Sequence, residues 1–185
     1  MTSLKIHNIE TAPEASKPLL EQSLKAIGMI PGLHGVLAGA PGILEAYQML
    51  HKLFTESSFN NEELTVVWQT INVEHECHYC VPAHTAIAGM MEVDSEISNA
   101  LRNKTALPTE KLQTLHEFTL KVVQNRGHVT SEDLNTFYAA GYEERHVLEV
   151  ILGLSQKVIS NYTNHIANTP VDAPFQKFAW EPATK

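Results

Sequence analysis

Cysteine is nearly absent from this chain, and positive charge is in deficit. Two cysteines in 185 residues do not make the disulfide framework of a small secreted domain. The 13 basic residues against 21 acidic ones leave a formal charge of -8, which opposes binding to nucleic acid or to an anionic membrane surface. No run approaches the ~20 apolar residues that a membrane span needs. The opening M-T-S-L-K-I-H-N-I-E lacks the apolar core of a signal peptide, so the expectation is a soluble, cytoplasmic protein. There is no phosphate-binding glycine loop, internal repeat or low-complexity tract. A composition 43% hydrophobic and 18% charged is that of one globular domain, taken as 1–185.

What the chain does have is concentrated between Glu74 and His84, E-H-E-C-H-Y-C-V-P-A-H, where both cysteines stand among three histidines. In a helix, Cys77 and Cys80 have α-carbons roughly 5 Å apart, within reach of a disulfide. His84 follows Cys80 by four residues and shares its helical face. An ordinary thiol, with a pKa of about 8.5, is mostly protonated at neutral pH, and a helix N-terminus or an imidazolium lowers that value. The segment therefore reads as a redox dithiol. Two other readings stay open: C-x-x-C-x-x-x-H supplies three of the four ligands of a closed zinc site, and paired cysteines also serve as small buried hydrophobes. Thioredoxin shares the C-x-x-C but needs a strand before it.

The remaining chain reads as helices. Leu19, Leu20, Leu24 and Ile27 keep helical spacing up to Gly28, a short helix fits Leu33 to Ala38, and Pro41 opens a run whose buried stripe is Leu44, Tyr47, Leu50, Leu53 and Phe54. Asn60 with Glu63 has the form of a capping box for a helix from Asn61 to Glu74, which outweighs its β-branched content. Pro82 is tolerated only in a first turn, which puts Cys77 and Cys80 at the N-terminus of a helix running to Met91. Asp94 and Thr130 cap two more helices, Pro108-Thr109-Glu110 starts another between them, and a long helix runs from Glu143 to Asn168. An irregular tail begins at 169, with Phe175 and Trp180 expected to pack on the body or a neighbouring subunit. The fold class expected is all-α: a single-domain bundle of seven or eight helices.

The motif E-H-E-C-H-Y-C-V-P-A-H-T, preceded by L-T-V-V-W-Q-T-I-N-V, resembles the carboxymuconolactone decarboxylase and AhpD-like alkylhydroperoxidase superfamily, on its C-x-x-C branch. That resemblance implies an AhpD-like helical subunit, assembled as a dimer, trimer or hexamer, with thiol peroxidase or disulfide reductase activity; no cofactor or metal is expected. It implies that Cys80 attacks, that Cys77 resolves and that His84 is the histidine of the site. It also places a relay glutamate where this chain has Thr65, so Glu74 is expected to take the carboxylate role, with Glu62 as a weaker substitute. In the expected reaction the Cys80 thiolate attacks the peroxide bond and the resulting sulfenic acid condenses with Cys77. Glu74 holds His84 as the base, and an external dithiol or lipoyl-type reductant reopens the disulfide.

Overall fold

The structure, a computed structural model, describes residues 4–182 and contains no strand among them. Nine α-helices follow one another: α1 Lys17–Ile27, α2 Gly32–Leu37, α3 Pro41–Thr55, α4 Asn61–Glu74, α5 Cys80–Met90, α6 Ser95–Asn103, α7 Glu110–Gln124, α8 Ser131–Ala139 and α9 Glu144–Ala167. Short 3-10 turns occupy Glu14–Ser16 and Ala173–Phe178. The all-α expectation holds, with the short α2 standing as a helix of its own. No helix among the described residues is long and apolar enough to cross a membrane.

The helix ends form where local chemistry dictates. Asn60 and Glu63 make a reciprocal capping box at α4, Thr130 and Asp133 another at α8, and Gly28 ends α1 at φ 80°, a conformation that costs a glycine nothing. Between these stops, α4 is the axis of the fold. Every residue from Glu63 to Val73 is buried, and α5, α6, α7 and α9 all pack against it. A helix buried on all sides can carry β-branched residues such as Val66, Val67 and Ile71, because tertiary packing outweighs their modest loss of helix propensity.

Two large apolar clusters result, with a third, small one where the tail packs. The larger joins α4 to α6, α7 and α8 through Trp68, Ile71, Leu101, Leu115, Phe118 and Phe137. The smaller gathers Leu20, Leu33, Leu37, Leu44 and Tyr47 around Cys77, Tyr79 and Cys80. Leu53, expected in the buried stripe of α3, is 45% exposed. The chain there turns on Phe54, whose ring lies so close to Gly153 of α9 that a β-carbon on that glycine would stand 2.8 Å from it. The tail is ordered against the body: Phe175 packs on Ala83 and Ala86, and the Trp180 indole donates to the Arg102 carbonyl at 3.1 Å.

Candidate active site

The two cysteines are positioned by the reversal between α4 and α5. The Cys77 N–H bonds the Asn72 carbonyl at 2.9 Å and the Glu76 N–H bonds that of Val73 at 3.0 Å, the pairing of a Schellman turn. Glu76 occupies the left-handed position at φ 52°, where glycine is usual. Regular helix begins at Cys80, so the expectation that both cysteines lie inside the first turn is corrected: Cys77 stands in the turn that precedes it. Its Sγ accepts from the Cys80 N–H at 3.3 Å, and its carbonyl accepts from the Val81 N–H at 3.1 Å. Cys77 thus serves the helix entrance as an N-cap side chain does. Pro82 falls in the first turn of α5, where its missing N–H leaves no bond unmade.

Both thiols are free and buried, Cys80 with 2% of its surface exposed. Burial alone pushes a thiol pKa up, but at Cys80 it is outweighed by a hydrogen bond from Cys77, the charge of Lys157 and the amides of Asn164 and Asn161, which bring it down to about 5. The Asn164 amide nitrogen donates to Cys80 Sγ at 3.3 Å. Cys77 moves the other way: its bond to Cys80, burial and the charge on Cys80 all keep it a thiol. The two sulfurs share one proton, and it rests on Cys77.

His84 lines the same site but not as expected. It is 5% exposed, its ring lies 4.8 Å from that of Trp68, and Nε2 accepts from Lys157 Nζ at 2.7 Å rather than meeting Cys80. Burial, then the Lys157 charge and His51, hold its pKa well below the ordinary value, so the ring is neutral. Nδ1 has no hydrogen-bond partner. Glu74 is not beside it. At the last turn of α4 that carboxylate accepts from Gln124 of α7 at 3.2 Å, while His84 Nε2 is taken by Lys157 and Nδ1 has no partner, so Glu74 does not hold His84. Glu62 is exposed, and Thr65 hydrogen-bonds the Asn61 carbonyl at 2.8 Å within its own helix.

The charge at the site comes instead from α9, which sequence reasoning left without a role. Gln156, Lys157, Ser160, Asn161 and Asn164 are all fully buried there. Asn161 accepts from His75 Nδ1 at 2.9 Å and donates to Asn72 at 3.0 Å; Asn72 donates to Gln69 at 3.0 Å; Gln69 donates to the Val81 carbonyl and to Thr85, both at 3.1 Å. This chain of side chains fixes the start of α5 between α4 and α9. The signal was present in the spacing 157, 160, 161, 164, one face of a helix, but those residue types ordinarily mark a solvated face.

A cavity of about 380 Å³ opens onto Cys80, His84 and Lys157. Its walls are largely apolar, with Ile27, Leu33, Ile87, Met90 and Phe175 contributing, and two further imidazoles reach it, those of His34 and His51. Burial chiefly, with charge from neighbouring groups, lowers both histidines to about 4. The Trp68 indole donates to Gln156 at 2.7 Å, which orients that amide to donate to His51 Nδ1 at 3.0 Å and leaves the His51 proton on Nε2. Tyr79 closes one wall by donating to Asp172 of the tail at 2.5 Å. Among the described residues, no group of three or more His, Cys, Asp or Glu side chains is arranged to hold a metal ion.

No family model matches the chain, and no curated protein matches it in sequence. Solved structures do match in fold. A peroxidase-related protein of uncharacterised function from Ralstonia eutropha JMP134, described as an alkylhydroperoxidase AhpD core, superposes with a TM-score of 0.81 at 16% identity, over 95% of this chain and 96% of that one. A peroxidase-related protein from Silicibacter sp. TM1040 gives 0.75 at 15% identity, over 94% and 95%. The debrominase Bmp8, as a cysteine-to-alanine variant in complex with 2,3,4-tribromopyrrole, gives 0.77 at 14% identity, over 96% and 95%. The chain has the AhpD-like fold over nearly all of the described residues.

Proposed function

We propose that the protein is a thiol-dependent peroxidase that reduces compact organic hydroperoxides through Cys80 and Cys77. One observation carries this reading: the Cys80 thiol, brought to about 5, shares the wall of an apolar cavity with Lys157 and has the Cys77 thiol in hydrogen-bond reach. A thiolate at neutral pH supplies the nucleophile. Cys80 attacks the outer peroxide oxygen, the alcohol leaves, and Cys77 displaces water from the sulfenic acid to close the disulfide. The resolving thiol stays protonated until that step, as its raised pKa requires. An external dithiol, of lipoyl or protein type, returns the pair to the reduced form by exchange. The apolar walls favour an organic hydroperoxide over hydrogen peroxide, whose two hydroxyls would go unpaired there.

The test is consumption of tert-butyl hydroperoxide with dihydrolipoamide as reductant. Cys80→Ser is expected to reduce consumption to background, and Cys77→Ser to allow a single oxidation trapped as sulfenic acid. Equal oxidation of both variants would defeat the assignment. The fold shared with a debrominase and the ring-sized apolar cavity favour a second reading, in which the same dithiol gives two electrons to a halogenated aromatic ring. Halide release from tribromopyrrole, with no peroxide consumed, would select it. Assembly belongs to the same reading: Leu148, Ile151, Tyr162 and Ile166 are exposed along one face of α9, and we assign that stripe to contacts between copies of the chain.

A further inference from the structure

Lys157 is fully buried, and the neighbour that stabilises its charged form is consumed by the reaction itself. No carboxylate pairs with it among the described residues. Burial lowers its affinity for a proton, and the opposing charge is that of the Cys80 thiolate. When the Cys80 thiolate becomes a sulfenic acid and then a disulfide, that counter-charge is gone. A buried, unpaired ammonium is costly, and such a group neutralises rather than stay charged. Its hydrogen-bond acceptor is His84 Nε2 at 2.7 Å. Because an ammonium only donates, the His84 proton sits on Nδ1, the buried nitrogen without a partner on a ring that forms part of the cavity wall.

We propose that Lys157 is the internal proton source of the peroxide step, passing a proton to His84 Nε2 as His84 Nδ1–H gives one to the oxygen that leaves the peroxide bond. His84 is then the catalytic acid and Lys157 the positioning residue that recharges it. This rests on the peroxidase reading above for its substrate. The first step forms the S–O bond and breaks O–O, turning thiolate and hydroperoxide into sulfenic acid and alkoxide, and the alkoxide takes the Nδ1 proton. The second forms S–S and releases water, with the Cys77 proton leaving on the sulfenic hydroxyl. Summed, thiolate, thiol, ammonium and hydroperoxide give disulfide, amine, alcohol and water. The sulfurs lose two electrons, the peroxide gains two, and no proton is drawn from solvent. Reduction runs the relay backwards: bare Nδ1 takes a proton from the incoming dithiol, which makes it a thiolate, and Lys157 regains its charge.

The sum gives a count that a purely electrostatic lysine would not. The reduced, desalted protein is mixed with one equivalent of tert-butyl hydroperoxide in weak buffer at pH 7.5 with an indicator dye, while absorbance at 240 nm follows the thiolate. Loss of the thiolate band without proton uptake is the expected result. Loss of the band with uptake of one proton per disulfide means that Lys157 kept its charge, and overturns the proposal; absence of a thiolate band before oxidation overturns it as well. Oxidised lipoamide in place of the peroxide calls for the same count. A protein that ignores peroxide but oxidises without proton uptake in lipoamide would sink the peroxidase reading and leave the relay standing. Lys157→Arg, which keeps the charge but does not release it, is expected to retain the thiolate band, take up one proton and slow the peroxide step about a hundredfold. Should that variant fail to fold, the wild-type count decides alone.

Discussion

Helices α7 and α9 both cross α4, and they bury opposite kinds of residue. α7 turns Leu112, Leu115, Phe118 and Val122 inward. α9 turns Gln156, Lys157, Ser160, Asn161 and Asn164 inward and leaves Leu148, Ile151, Tyr162 and Ile166 on its outer face. The first arrangement gains the hydrophobic free energy of burial, about 1.5 to 3 kcal/mol for each large side chain. The second gains little of it, since each buried polar group must recover through hydrogen bonds what it lost in leaving water. Such an inverted face is held by the rest of the fold and spends stability on placing Asn164 against Cys80 and Lys157 against His84. α7 is scaffold, and α9 lines the cysteine site with its polar face.

Breaking the polar face is expected to have the largest effect. Lys157→Met removes the charge that offsets the burial of Cys80, so its thiol is expected to move from about 5 to at least the ordinary value of about 8.5. A depressed thiol pKa means that reactivity is present above the folded value and lost as pH falls through it. Alkylation of the wild-type thiol should therefore fall off near pH 5, and that of the variant should already be low at pH 7, by a factor on the order of thirty or more. The pH profile of iodoacetamide labelling reads this directly; coincident profiles would show that Lys157 does not set the thiolate.

Breaking the apolar face should do the reverse. Leu115→Ala opens a cavity in the α4–α7 contact and is expected to cost about 3 kcal/mol in urea unfolding, with the Cys80 labelling profile unchanged. A shifted profile would mean that scaffold and site are not separable.

Acid should find a weakness at the cavity. His34 and His51 are each lowered to about 4 by burial and neighbouring charge, against 6.5 in the unfolded chain. The unfolded state therefore binds protons first, so stability is complete above pH 6.5 and is lost as pH falls from there towards 4. Each histidine accounts for about 3 kcal/mol of that loss. His34→Gln should make the midpoint of urea unfolding fall less steeply between pH 6.5 and 4.5, and an unchanged slope would place the acid sensitivity elsewhere.

The outer face of α9 is expected to matter least to the single subunit. Ile166→Glu, at a residue 72% exposed, should change monomer stability by less than about 0.5 kcal/mol. Sedimentation should nevertheless show wild-type assemblies shifting to the single-chain mass. A wild-type protein that already sediments as a monomer at micromolar concentration would leave that apolar stripe without a role.

The sequence by itself determined the helices and the dithiol. Capping residues such as Asn60 with Glu63 and Thr130 with Asp133, the stop at Gly28 and the first-turn Pro82 act over three or four residues, and such signals can be read without knowing what packs on them. The pairing of Cys77 with Cys80 on one turn is local in the same sense. Only the tertiary structure decided what surrounds the thiol. Lys157 is 73 residues from His84 and Asn164 is 84 from Cys80. Their polar spacing along α9 reads as a solvated face until α3, α4 and α5 are seen to cover it. The reading of Glu74 failed for the same reason. Its place three residues before Cys77 in sequence suggested proximity to His84, but the reversal between α4 and α5 sends that carboxylate to Gln124 of α7. A charge's worth depends on its distance and on the water between, and both are settled by packing between elements far apart in the chain.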